Sequence, residues 1–325
     1  MNKGTTRLQH YVSQFLLRRF CGPEGRLWAY DAENQKRFCA DPKAVAAEGY
    51  FYSDSTKYPT KPSIAIEHWL AEEIEGPGSK AIEGLISMRT LSLKEIRAFI
   101  RFVAAQMQRT PTALQRVSEC YKATFQEMAE RMLKYEPEVR KNILDDMKAA
   151  GAPADDMSQM LEIMDQGKIE VTPTREFSIW TGIRSIELIA SELAKMKWEF
   201  AEVPKTDGDL IIGDHPVTLA DVGGADKPAG RLGLRNPNLE VVMPLSSRFV
   251  ALAHWEGEVR YGELGVGVAA ELNERMLRHI HRFAYASFES RDLLERAVAL
   301  RGTGPKIHTH RLKIGEKLII APEFR

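Results

Sequence analysis

The chain predicts an α+β fold: a mainly helical first half carrying a small hairpin near its start, then a sheet-containing second half with flanking helices. Three observations lead there. Up to about Lys197 the apolar residues recur mostly at helical spacing, as in Leu93, Ile96, Phe99, Ile100, Val103 and Met107. From Trp198 onward the pattern changes to short β-prone runs separated by Gly, Pro, Asp and Ser. Near the start, Leu27-Trp28-Ala29-Tyr30-Asp31 and Lys36-Arg37-Phe38-Cys39 flank a four-residue polar turn, which reads as a hairpin. With no internal repeat, residues 1–200 and 201–325 are expected to be two regions of one integrated domain.

Taken in order, the run His10-Tyr11-Val12-Ser13-Gln14-Phe15-Leu16-Leu17-Arg18-Arg19-Phe20 reads as an opening helix, closed by the turn Gly22-Pro23-Glu24-Gly25. After the hairpin, Asp41-Pro42 opens a short helix, with Asp41 as cap and Pro42 at the first helical position. Residues 63–86 are helical in pattern, but Gly76-Pro77-Gly78 is expected to break them into two helices, the second capped by Ser79. Ser92-Leu93-Lys94-Glu95 has the form of a capping box. The helix it starts runs to Thr110-Pro111, where Thr110 caps a further long helix reaching about residue 150. A loop at Gly151-Ala152-Pro153 leads to helices at 155–166 and 174–197. Strands are expected at 198–203, 210–212, 240–243, 249–252 and 259–261. A helix at 268–282, an apolar run at 283–286, a helix at 291–300 capped by Ser290 and a basic, partly alternating tail complete the chain.

Composition narrows the function classes. Forty-five basic and 45 acidic residues cancel, so no global field drives the protein onto nucleic acid or an anionic surface. The hydrophobic content of 44% supplies a real core. No apolar run approaches the ~20 residues that cross a bilayer, and no signal peptide is visible, so no membrane partner is expected. Cys21, Cys39 and Cys120 form no metal-type spacing, and reduced thiols in a cytoplasmic protein are the natural reading.

Several islands carry chemistry. On a continuous helix, His10, Gln14 and Arg18 fall within an arc of roughly 80°, a narrow line of acid/base group, amide and guanidinium among apolar neighbours. Glu75 stands just before the Gly76-Pro77-Gly78 break, while Glu67, Glu72 and Glu73 read as solvated surface acids. Gln106 and Arg109 are neighbours on one helix face. The strand-then-turn Leu210-Ile211-Ile212-Gly213-Asp214-His215-Pro216 delivers an Asp-His pair to a sheet end, suited to acid–base work, to metal ligation or simply to an Asx turn. His279-x-His281 falls on a helix end that points the rings apart, and His308-x-His310 lacks a nearby carboxylate or thiol, so neither spacing makes a metal site. No P-loop, dinucleotide turn, HExxH, GxSxG or kinase set is present.

These islands together resemble one family, the bacterial domain-of-unknown-function family numbered 4238. The matching residues are His10-Tyr11-x-x-Gln14-Phe15-x-Leu17-Arg18-x-Phe20, Leu27-x-x-Tyr30-Asp31, Phe51-Tyr52, Ile74-Glu75, Gln106-x-x-Arg109-x-Pro111, Asp214-x-Pro216-Val217 and Pro244-Leu245. Gly213 stands where the family usually has Ser, which excludes a hydroxyl nucleophile at that position. The resemblance implies that His10, Gln14, Arg18, Glu75, Gln106, Arg109 and Asp214 belong to one pattern and line one pocket. Such a pocket suits an anionic substrate, a small molecule or nucleic acid. The leading expectation is a phosphodiesterase or nuclease: His10 as general acid or base, Glu75 and Asp214 orienting it or holding a divalent metal ion, and Gln14, Arg18, Gln106 and Arg109 binding the substrate. The alternatives are a sensor that binds a small anion without turnover and a purely structural polar network.

Overall fold

A computed structural model describes residues 8–52, 61–166, 168, 170–223, 233–304, 307–314 and 317–324, with the side chains of 61–64 and 307–324 outside that description. The chain starts with β1 (Leu8–His10), α1 (Gln14–Leu17) running into a 3-10 turn, β2 (Leu27–Asp31), β3 (Lys36–Ala40) and β4 (Ala47–Gly49). Helices follow: α2 (Lys61–Trp69), α3 (Gly76–Ile86), α4 (Leu93–Gln108), α5 (Pro111–Tyr135), α6 (Pro137–Ala149), α7 (Ala154–Asp165) and α8 (Arg175–Leu193). The remainder is β5 (Lys197–Glu202), β6 (Ile212–Gly213), β7 (Thr218–Asp221), β8 (Leu239–Ser246), β9 (Phe249–His254), β10 (Arg260–Glu263), α9 (Val268–His279), β11 (Phe283–Ala286), α10 (Arg291–Leu300), β12 (Ile307–Ile314) and β13 (Lys317–Phe324). The fold is α+β, helices first and sheets later.

Two sheets organise it. A five-stranded sheet has the order β10-β5-β9-β8-β7, antiparallel except for the parallel β10–β5 edge. A four-stranded antiparallel sheet, β3-β2-β11-β6, inserts C-terminal strands beside the N-terminal hairpin. Helix α4 joins helical layer to sheet: its Phe99 packs edge-on against Trp198 and Phe200, at centroid distances of 5.0 and 5.6 Å. Its capping box forms as the sequence predicts, Ser92 and Glu95 bonding each other's backbone. Thr110 caps α5 through the Ala113 amide, Thr174 caps α8 and Ser290 caps α10. A second core, of Tyr30, Ile211, Met276, Leu277, Ile280, Leu293 and Leu294, lies between the four-stranded sheet and α9 and α10. No described helix is long and apolar enough to cross a membrane.

Several expectations are corrected. The opening run is not one helix: His10 ends a strand paired with β4, and helix begins only at Gln14. Gly76-Pro77-Gly78 does not break the helix either. The turns Leu70–Glu75 are π-helical, and the Gly76 amide reaches back five residues to the Ala71 carbonyl, so the widened turn leads into α3 with Pro77 in its first turn and Ser79 inside it. Gly78 permits the close approach of α3 to α4, since a Cβ there would lie 2.8 Å from Phe102. The long helix expected to reach residue 150 ends at Tyr135, because Pro137 pushes Glu136 out of the helical region, to φ −121° and ψ 89°. The strand expected at 210–212 shrinks to β6, β7 was missed, and α9 stops at His279 with Ile280 extended.

Candidate functional site

The opening segment crosses the helical layer, and its polar residues meet α2, the π-helical turns and α4. Arg109, 1% exposed, donates through Nε to the Tyr11 carbonyl at 3.0 Å, through Nη2 to Ser13 Oγ at 2.9 Å and through Nη1 to Glu75 Oε1 at 2.6 Å. Ser13 Oγ also accepts from Gln106 Nε2 at 3.0 Å and donates to Glu75 Oε1 at 3.1 Å. The hydroxyl is thereby saturated, with two donors in and its own proton out. Gln106 is fully buried, and its Oε1 has no partner among the described residues.

Beside this tier lies a second, running from buried Gln9 and Tyr52 through half-buried Glu67, His10 and Gln14 to exposed Arg18. Gln9 Nε2 donates to Glu67 Oε2 at 3.1 Å, while Gln9 Oε1 accepts the Tyr52 amide and Tyr52 Oη donates to the His10 carbonyl. His10, Gln14 and Arg18 touch in series although no continuous helix carries them: Arg18 Nη2 donates to Gln14 Oε1 at 3.1 Å, and Gln14 Nε2 approaches His10 Nδ1 at 3.4 Å. An amide N–H can only donate, so Nδ1 is the acceptor and Nε2–H donates to the Lys43 carbonyl at 3.2 Å.

Burial sets the protonation preferences. It lowers His10, an effect that Arg109 reinforces and that the Lys43 carbonyl and Glu75 oppose. It raises Glu67, which the Gln9 amide opposes and the charge of Glu75 reinforces. Glu75 acts on both groups through space and is held from below by Arg109 and Ser13. It sits at the junction of π and α turns, where helices commonly carry function.

The other predicted residues are placed differently. Asp214 Oδ1 accepts the His281 amide and Oδ2 accepts those of Arg282 and Phe283, all at 2.7 Å. Its carboxyl, 1% exposed, is raised by burial against the pull of these three amides, and it makes no bond to His10. The Asp214–Glu75 metal or orienting pair is not formed, because each carboxylate is already occupied by other donors. Among the described residues no group of three or more His, Cys, Asp or Glu is arranged to hold a metal. Gln106 and Arg109 lie beneath the site and shape it from behind, where a ligand does not reach. His215 and Asp214, adjacent in sequence, diverge: His215 bonds Thr110 Oγ1 and Arg116. His279 is bound to the Arg275 and Leu219 backbones, and the side chains of His308 and His310 lie outside the described residues.

The sequence model of a family described as a protein of unknown function, DUF4238, matches residues 8–288. The chain belongs to this family. No curated protein and no solved structure matches it. The matched span runs from β1 through β11, so it contains both tiers of the site and the Asp214 clasp. Gly213 is accounted for by packing, since a Cβ would lie 2.8 Å from Ile280 and 3.0 Å from Met276. Sequence reasoning missed Glu67, Tyr52, Gln9 and Ser13 as members of the site. The available signal was the spacing of Glu67 and Glu75, about two helical turns apart and so on one face.

Proposed function

We propose that this DUF4238 protein hydrolyses a phosphate ester of the phosphodiester type, with His10 as general base, Glu67 as general acid and Glu75 as the carboxylate that acts on both. The observation that carries the reading is the opposite bias of two groups served by one carboxylate: burial favours neutral His10 and protonated Glu67, while Glu75 is pinned by Arg109. These shifts bring the imidazole and carboxyl titrations closer together, so that more of the molecules hold a neutral base and a protonated acid at once, as the two halves of acid–base catalysis require. In the proposed step His10 Nδ1 takes the proton of an attacking water once the 3.4 Å contact to Gln14 opens, and Glu67 supplies a proton to the leaving oxygen. Exposed Arg18, aligned by Gln14, receives the anionic group of the substrate. Zero net charge favours a small anionic substrate over a long nucleic acid. Cys21, Cys39 and Cys120 are free thiols, which suits a cytoplasmic setting.

The saturation of Ser13 favours a second reading for the lower tier, a structural network that positions the site without entering the chemistry. A turnover screen of model phosphodiesters and phosphomonoesters separates the two. Glu67→Gln and His10→Ala should each lower the rate on the order of 10²-fold or more while remaining folded. Wild-type rates in both variants would leave only the structural network.

A further inference from the structure

A cleft of about 720 Å³ lies outside the site just described, between the first turns of α5, the end of α9 and the turn after α10. Its walls include Arg116, Arg278, Arg301, His281, Thr112 and Glu119, and Glu119 is the one carboxylate among the described lining residues. The guanidiniums are braced from behind. Arg116 Nη1 donates to His215 Nε2 at 3.1 Å, which fixes the other ring nitrogen as the donor to Thr110 Oγ1, the cap of α5. Arg278 is held by Glu274 at 2.5 Å, and Arg301 donates to the His281 carbonyl at 2.5 Å with Glu33 at 3.6 Å. The Asp214 clasp holds the His281–Phe283 amides on the same wall.

Two features point to an anion. Arg116, Arg278 and Arg301 reach the cleft from three separate parts of the chain, against Glu119 as the one carboxylate of the described lining. Thr112 and Gln115 stand beside Arg116 on the same side of α5 and add neutral hydrogen-bonding groups to the wall. Burial lowers Arg116 to about 10, so it stays charged at neutral pH in a setting where an anionic partner counts for more than in water. The volume lies within the ~300–1,000 Å³ typical of small-ligand sites.

We infer that this cleft is a second binding site, independent of the His10–Glu67 chemistry, for a small ligand carrying two or more phosphate groups. Three guanidiniums on separate elements match several phosphates better than one. Asp214 and Thr110 then support the second site from behind, Asp214 through the His281 amide and Thr110 through His215.

Calorimetric titration with inorganic tripolyphosphate in metal-free buffer tests this, with inorganic phosphate and ATP as comparison ligands. One-to-one binding of tripolyphosphate and ATP, with phosphate much weaker, is the expected result. Arg278→Gln and Arg301→Gln should each weaken it on the order of tenfold or more with circular dichroism unchanged, and Arg260→Gln, an exposed arginine outside the cleft, should leave it unaltered. If Arg301→Gln unfolds through loss of its bond to the His281 carbonyl, Arg278→Gln carries the test alone. Absence of binding, or full affinity in Arg278→Gln, overturns the proposal. Neither outcome touches the hydrolytic reading, which is scored by turnover.

Discussion

Arg109 Nη1 lies 2.6 Å from Glu75 Oε1, joining a guanidinium that is 1% exposed to a carboxylate that is 27% exposed. The pair connects the end of α4 to the π-helical turn, and through Ser13 and the Tyr11 carbonyl it also fastens the opening segment. One buried cation thus ties together α4, the π-helical turn and the opening segment.

Removing that cation leaves Glu75 without its charged partner, Ser13 with Gln106 as its remaining donor and the Tyr11 carbonyl without the Arg109 bond. Arg109→Met should cost on the order of 3–5 kcal/mol in urea unfolding, as breaking one side of a buried pair does. Arg109→Lys should recover only part of this, because an ammonium cannot reproduce the three directions the guanidinium uses.

Glu67 is raised in the folded state, so folding disfavours its charged form. The sign follows directly: the unfolded chain releases this proton more readily, and Glu67 lowers stability as pH rises above its unfolded value of about 4.3. Glu67→Gln should raise the melting temperature at pH 7 and lose that advantage near pH 4. The amide can still accept from Gln9. Equal gains at both pH values would contradict the assignment.

Asp214 holds three consecutive amides, so Asp214→Ala should destabilise the protein by ~3 kcal/mol or more, with hydrogen exchange accelerated at His281, Arg282 and Phe283. Turnover per folded molecule should stay near wild type. A selective loss of turnover in a stable Asp214→Asn variant would return this residue to the catalytic set.

His279 is lowered by burial from 6.5 to about 4. A folded histidine with a depressed value stabilises fully above the unfolded value and loses that contribution as pH falls toward the folded one. Between pH 6.5 and 4 the protein should lose on the order of 3 kcal/mol through this group. Comparing urea midpoints of wild type and His279→Gln across that interval checks it, the variant showing the shallower decline.

Helix starts were legible because their signals are local: Ser92 with Glu95, Thr110 before Pro111 and Ser290 each cap the helix expected of them. The hairpin at β2 and β3 was legible for the same reason. What escaped was set by tertiary contacts. His10 is strand because β4 pairs with it, and the Gly-Pro-Gly run stays helical because the π turn removes the proline clash and Gly78 fits against Phe102. The site residues divided likewise. The sequence groups His10, Gln14, Arg18, Glu75 and Arg109 in one pattern but not their tiering, since only burial distinguishes Arg109 from exposed Arg18. Glu67 looked like any acid on an amphipathic helix until its partner Gln9 came from 58 residues away.

The division of labour between Glu67 and His10 is tested most directly by the pH dependence of kcat/KM on a model phosphodiester, in wild type and Glu67→Gln. The account predicts a bell-shaped wild-type profile, because the active form needs His10 deprotonated and Glu67 protonated at once. In Glu67→Gln the rate should fall on the order of 10²-fold and the alkaline limb should vanish. An unchanged bell in Glu67→Gln, or no turnover by the wild type on any phosphodiester, would contradict it.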